Sequence, residues 1–143
     1  MTGTTITPYL FFGGRCEEAL AFYREALGAE VEMLMRFDES PDPPPPGMLP
    51  AGFEKKIMHA SFRVRGVPLM ASDGCGETPK FDGMRLALAV PEEADARRAF
   101  DALADGGSVQ MPLTRTFWSP CYGMVTDRFG LGWMVMVADA PAS

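Results

Sequence analysis

The single histidine of the chain, His59, stands in the stretch MHASFRVRGVPLMASD, residues 58–73. That stretch reads as two strands joined at Arg65-Gly66, with glycine supplying the unusual φ of a two-residue hairpin turn. Val64 then faces Val67, and the pairing runs outward from there. Side chains alternate across a strand, so His59, Ser61, Arg63, Pro68, Met70 and Ser72 project together. An imidazole titrates near neutrality and serves as a general acid or base. Beside hydroxyls and a soft methionine, it suits a ligand pocket, and a solvated face is the competing reading. The simpler role for His59 is structural, as the hydrogen-bond partner of a neighbour such as Ser72, which faces it across the hairpin. The opposite face holds Met58, Ala60, Phe62, Val64, Val67, Leu69 and Ala71. It is wholly apolar and is expected to lie under a helix.

Other residues offer chemistry more weakly. Arg85 could hold a carboxylate or phosphonate by a forked pair of hydrogen bonds, or form an ion pair with Asp127 or a glutamate. Met70 and Met134 adapt to varied apolar ligands, although methionine also fills cores, and the chain has 11 of them. Phe117, Trp118 and Tyr122 surround Ser119-Pro120, where aromatics cap a pocket or seal a dimer contact. Cys121 lies beside them, but a cysteine nucleophile needs an activating base.

The totals bound these readings. A chain of 143 residues is expected to form one domain with a real core. A net charge of −6 argues against a nucleic-acid partner, which wants a basic surface. No apolar run approaches the roughly 18 residues of a membrane span, and the N-terminus lacks the basic start of a signal peptide. Cys16, Cys75 and Cys121 are widely spaced and form no C-x-x-C pair. They are expected as reduced thiols in a cytoplasmic protein.

Stepping along the chain, Ile6–Phe12 reads as a strand and Cys16–Leu27 as a helix with Ala19, Leu20, Tyr23 and Leu27 on one stripe. Gly28 is a helix stop, and Val31–Phe37 is a strand. In Pro41–Gly52, six of the first ten residues are proline, which excludes helix and central strand. An exposed loop with polyproline II character is expected, as a plain surface excursion, a lid or a partner contact. After the hairpin and a loop at Gly74–Gly83, Arg85–Val90 is a strand. Pro91 is expected to open a helix that buries Ala96, Phe100 and Leu103 and ends at Gly106-Gly107. Val109–Leu113 is a strand, Met124–Asp127 and Leu131–Val137 form a second hairpin, and Ala138–Ser143 frays.

The order strand–helix–strand–strand–strand therefore occurs twice. Phe22, Gly28 and Val31 fall on Phe100, Gly106 and Val109, while Gly66 and Met70 fall on Gly130 and Met134. The change of offset, about the length of the proline loop, assigns the insertion (about residues 40–53) to the first module. The modules run over about residues 5–73 and 84–138. The expected fold is α+β, two βαβββ modules forming a cupped, barrel-like mixed sheet with the helices outside. In the second hairpin, Gly123, Val125 and Met134 would match His59, Ser61 and Met70. Thr7 and Arg85 occupy equivalent places, and Tyr9 and Phe11 share the face of Thr7.

Paired βαβββ modules of this size resemble the vicinal-oxygen-chelate superfamily, which includes glyoxalase I, extradiol dioxygenases and the fosfomycin and bleomycin resistance proteins. The segments TPYLFFGGRCEEALAFYREALGAE, KIMHASFRVRGVPLMASDG and TFWSPCYGMVTDRFGLGW resemble its PhnB-like branch in particular. The resemblance implies a homodimer with a ligand site in each sheet cup. Metal-using members place ligands on the first and last strands of each module, and those places hold Thr7, Met70, Arg85 and Met134 here. None is a good ligand for a hard divalent ion, and a guanidinium repels one. A two-histidine iron site would need His59 from both subunits of a dimer.

The label of demethylubiquinone methyltransferase, carried by some members, finds no Gly-rich strand-to-helix turn of the required kind. The first reading is thus a metal-free small-molecule binding protein without a cofactor. Tyr9, Phe11, His59, Ser61, Met70, Arg85, Trp118 and Met134 would line its pocket. The alternative is an enzyme of the same fold, of lyase, isomerase or dioxygenase type, using His59 as acid/base with or without a metal completed across a dimer.

Overall fold

An amphipathic helix and a sheet with one apolar face each solve the other's exposure to water, and this chain uses that solution twice. The computed structural model describes residues 3–42, 44–76 and 78–138. The chain divides between Pro79 and Lys80 into two compact units.

The first unit contains β1 (Tyr9–Phe11), α1 (Cys16–Leu27), β2 (Glu30–Arg36), β3 (Ile57–Val64) and β4 (Val67–Ser72). Its sheet has the order β1-β4-β3-β2, with β1 parallel to β4 and the other pairs antiparallel. The first strand is shorter than expected. Pro8 still extends the pairing by accepting the Met70 N–H at 3.0 Å. Helix α1 buries Ala19, Leu20, Tyr23 and Leu27, and the Tyr23 ring lies parallel to Phe62 of β3, 6.5 Å between centroids. Gly28 closes the helix at φ 72°, where a side chain would be strained.

Nothing local caps the start of α1. Asp73, buried just beyond β4, does so from a distance. Its Oδ1 accepts the N–H groups of Gly14 (2.7 Å) and Cys16 (2.8 Å), and its Oδ2 accepts that of Ile57 (2.8 Å). One carboxylate thereby ties the helix start to the ends of β3 and β4. Arg36 adds a forked pair to Glu17 at 2.9 and 2.7 Å, which holds the Glu17 carboxyl below its ordinary pKa.

The hairpin turn is as expected, with Val64 facing Val67 and both Arg65 (φ 53°) and Gly66 (φ 84°) left-handed. Ala60, Phe62, Val64, Leu69 and Ala71 are buried on the helix side. Two members of that face differ. Ile57 is buried in place of Met58, because Met35 pairs with His59 while Arg36 pairs with Ile57, an irregularity that breaks the alternation. Val67, at the turn, is exposed. Between β2 and β3 the proline-rich segment is anchored at its base by the Phe37 and Phe53 rings and by the Lys55–Asp38 ion pair at 2.6 Å. Pro43 lies outside the described residues.

The second unit repeats the plan with β5 (Leu86–Val90), α2 (Glu93–Ala104), β6 (Ser108–Thr114), β7 (Tyr122–Thr126) and β8 (Gly132–Val137), in the order β5-β8-β7-β6. Even the register break in the second strand recurs, between Val31 and Met33 in one copy and Val109 and Met111 in the other. Helix α2 buries Ala96, Ala99, Phe100 and Leu103. Pro91 does not open it: Glu92 is the N-cap, so the proline sits just outside. Ala138 donates to the Val90 carbonyl at 2.9 Å, and the rest of the tail lies outside the described residues.

The second hairpin departs from expectation in a way that matters below. Its strands end at Thr126 and restart at Gly132, so the connection has five residues rather than two. Asp127, buried, shapes it: Oδ1 accepts the Phe129 and Leu131 N–H groups at 2.9 and 3.1 Å, and Oδ2 accepts the Trp133 indole N–H at 2.9 Å. Thr126 therefore faces Gly132, and Met124 faces Met134. Relative to Met134, strand β7 is shifted by one residue from the expected match, which turns each of its side chains over. Gly123 and Val125 lie on the helix side, and Tyr122, Met124 and Thr126 share the face of Met134.

Candidate functional site

In the first unit, parallel pairing sets Tyr9 beside Met70 and Phe11 beside Ser72, while Ser61 faces Met70 from the other side. Tyr9, Phe11, His59, Ser61 and Met70 thus share the sheet face turned away from α1. The Tyr9 hydroxyl reaches over β4 to His59 Nδ1, at 3.0 Å. With the phenol as donor, the neutral imidazole carries its proton on Nε2. The Tyr9 ring lies 5.6 Å from the imidazole and 5.0 Å from Phe11, centroid to centroid. The expected His59–Ser72 bond is absent. Ser72 instead accepts the Gly74 N–H at 3.2 Å, and Tyr9 takes its place because the parallel strand brings a longer side chain within reach. The result is an oriented imidazole with a phenol, a hydroxyl and soft apolar neighbours.

In the second unit, Arg85 lies over β8 where Gly132 leaves room for it. A Cβ at Gly132 would stand 2.9 Å from Arg85 Cγ and 3.0 Å from Nη1. The guanidinium donates to the carbonyls of Val125 (3.2 Å) and Trp133 (3.4 Å) and to Gln110 Oε1 (3.4 Å). The expected pairing with Asp127 does not occur, since Asp127 is turned into its own loop. Among the described residues, Arg85 has no carboxylate partner. A cavity of about 520 Å³ opens here, bordered by Arg85, Met134, Thr126, Gly132 and the loop 81–84. Gln110 Oε1 also accepts the Thr126 hydroxyl at 2.9 Å, completing a polar row beside the arginine.

Trp118 does not border that cavity. It stands edge-on between Phe117 (4.6 Å) and Tyr122 (5.3 Å), on a loop pinned by Ser119, whose hydroxyl is shared between the carbonyls of Cys121 and Val137 at 2.8 and 2.9 Å. Cys121 is buried. Burial pushes its thiol pKa up, and Glu93 adds to this against the pull of Arg97, the reverse of what a thiolate nucleophile needs.

Sequence reasoning found Arg85 and Met134 but missed Thr126, Gln110 and Gly132. Counting outward from Met134 with a five-residue loop would have put Gly132 and Thr126 on its face. Thr7 and Met70 in the first unit offer a hydroxyl and a thioether, and Arg85 and Met134 in the second offer a cation and a thioether; none of these is a good ligand for a hard divalent metal. Among the described residues, no three His, Cys, Asp or Glu side chains gather into a metal-binding group.

Comparison with known proteins adds the following. The sequence pattern of the Glyoxalase/Bleomycin resistance protein/Dioxygenase superfamily matches residues 5–135. Protein YjdN of Escherichia coli (strain K12) is 35% identical over 138 residues, covering 92% of this chain and 94% of that protein. The crystal structure of protein PA1353 from Pseudomonas aeruginosa is 43% identical and superposes with a TM-score of 0.83 over 96% of this chain and all (100%) of that one. The PhnB protein from Bacillus cereus, whose proposed activity is 3-demethylubiquinone-9 3-methyltransferase, is 28% identical with a TM-score of 0.77, covering 94% of this chain and 100% of that one.

Proposed function

The chain belongs to the Glyoxalase/Bleomycin resistance protein/Dioxygenase superfamily, in its PhnB-like branch, and from that footing we propose that it is a small-molecule binding protein working without a metal ion. The observation that carries the reading is the hydrogen-bonded Tyr9–His59 pair among Phe11, Ser61 and Met70, on the face away from α1. Such a mixture of oriented polar groups and adaptable apolar surface suits an apolar or amphipathic metabolite or toxin. In the second unit, Arg85, Trp118 and Met134 are proposed as ligand-binding residues as well. The protein works as a cytoplasmic homodimer and takes no cofactor. Methyl transfer, proposed for the Bacillus relative, has no counterpart in this topology: Gly13-Gly14 joins β1 to α1, but the strand that follows, β2, lies at the other edge of the sheet rather than parallel beside β1 as in a cofactor fold.

The test is a thermal-shift screen of aromatic and amphipathic compounds against the wild type and the double variant Tyr9→Ala/Met70→Ala. Compounds that raise the unfolding midpoint of the wild type and lose that effect in the variant are expected. Hits that ignore both substitutions, or no hits at all, would remove the proposal.

One observation favours a second reading. The 3.0 Å contact with Tyr9 fixes the imidazole of His59 in the way a general acid/base needs. In that reading the protein is an enzyme of lyase, isomerase or dioxygenase type, and a metal, if used, is completed across the dimer. His59→Ala retaining ligand affinity but losing turnover would favour it. So would a stoichiometric divalent ion in protein purified without chelator.

A further inference from the structure

We propose that the cavity around Arg85 is an anion-binding subsite that takes the anionic head group, carboxylate or phosphonate, of an amphipathic small molecule through two of its oxygens. The inference deepens the small-molecule reading above and rests on it. Arg85 is half-buried in a protein of net charge −6, and it meets no carboxylate within ion-pair distance among the described residues. Its three hydrogen bonds, all 3.2 Å or longer, go to neutral acceptors and leave part of its five-donor fork uncommitted.

The arginine is also built into place rather than trailing in solvent. It lies over Gly132 with no space for a Cβ beneath it, and it spans the carbonyls of two facing residues, Val125 and Trp133. A planar fork held in this manner matches two oxygens of one head group. The rest of the cavity specifies the rest of the ligand. Met134 supplies soft apolar contact for a hydrocarbon or ring body. The Thr126 hydroxyl already donates to Gln110, so its oxygen remains able to accept a hydrogen bond. Asp82, which also borders the cavity, disfavours a second anionic group and favours a hydroxyl or amine elsewhere on the molecule. The ligand class is therefore a molecule with one anionic head group and an apolar body, not a polyphosphate.

Binding of benzoate, phenylphosphonate and neutral benzamide is measured by calorimetry on the full chain, with the wild type, Arg85→Gln and Gly132→Ala. At least one of the two anions is expected to bind the wild type about tenfold or more tightly than benzamide, the worth of a charge-assisted hydrogen bond. Arg85→Gln should abolish that preference. Gly132→Ala keeps the charge but displaces the side chain, and should weaken the anion while leaving the far-ultraviolet circular dichroism unchanged. Anion affinity equal in all three proteins would overturn the assignment, as would benzamide binding as tightly as both anions, with small-molecule binding itself still standing. Failure of all three probes to bind the wild type would overturn both.

Discussion

Asp73 is a carboxylate removed from water whose oxygens are answered by three backbone N–H groups and, among the described residues, by no cation. Removing it strands donors at three places in the chain at once. Asp73→Ala is expected to cost about 3 kcal/mol in urea unfolding, well above a typical single hydrogen bond. Cys16 lies against this carboxylate. Burial first, then the charges of Asp73 and Glu17, push its thiol pKa far above the ordinary value. The unfolded thiol ionises above about pH 8.5 while the folded one stays neutral, so the contribution is complete below that pH and is lost as pH rises. The loss amounts to about 2 kcal/mol near pH 10 by the same linkage. Urea unfolding at both pH values should show a shallower alkaline decline for Cys16→Ala than for the wild type. The types of residue on the His59 face were legible in the sequence, but the partner of His59 was not. A hairpin reading sees only the facing residue, Ser72, whereas Tyr9 arrives through a parallel pairing with a strand more than fifty positions away.

At the scale of elements, α1 was readable to the residue, Cys16–Leu27, because stripe and capping glycine agree, whereas in α2 the stripe agreed but the helix starts after Pro91 and its C-cap is Asp105 rather than a glycine. Strand ends drifted, since alternation alone does not say where pairing begins. The costliest error came from a loop. Phe129-Gly130 looked like a two-residue turn, but Asp127 folds back on the N–H groups of Phe129 and Leu131 and makes it five. The face of β7 followed that count, and Gly123 moved from the expected pocket to the packing against α2. There its absent Cβ matters: one would meet Phe100 at 2.8 Å and the Met111 carbonyl at 2.9 Å. Gly123→Ala should therefore destabilise the protein by about 2 kcal/mol through overpacking, read as a lower urea midpoint. The same variant tests the corrected register, because an alanine on the open face would be nearly neutral.

For the molecule as a whole, the duplicated plan was visible in the order of elements, and the structure extends it to strand order and to the matching register break. What the sequence carried poorly was the chemistry of the two open faces, which differ although the scaffold repeats. One has a phenol, an imidazole and a hydroxyl, and the other has an arginine, a threonine and methionines. Among the described residues, neither gathers the three or more His, Cys, Asp or Glu side chains of a divalent site. Exhaustive dialysis against a chelator is accordingly expected to leave the thermal unfolding midpoint and the affinity for small-molecule hits unchanged. A fall in either on chelation, restored by one divalent ion, would contradict the proposed function.

The space beneath Arg85 has a genetic corollary. Every glycine codon becomes an alanine codon by a single base change, and at Gly132 the three atoms nearest to the added methyl group all belong to the flexible arginine, the first at 2.9 Å. A lineage carrying this gene can thus silence the arginine in one nucleotide step while keeping the protein folded, and recover it by the reverse step. Recognition here would be gained and lost faster than the scaffold that carries it.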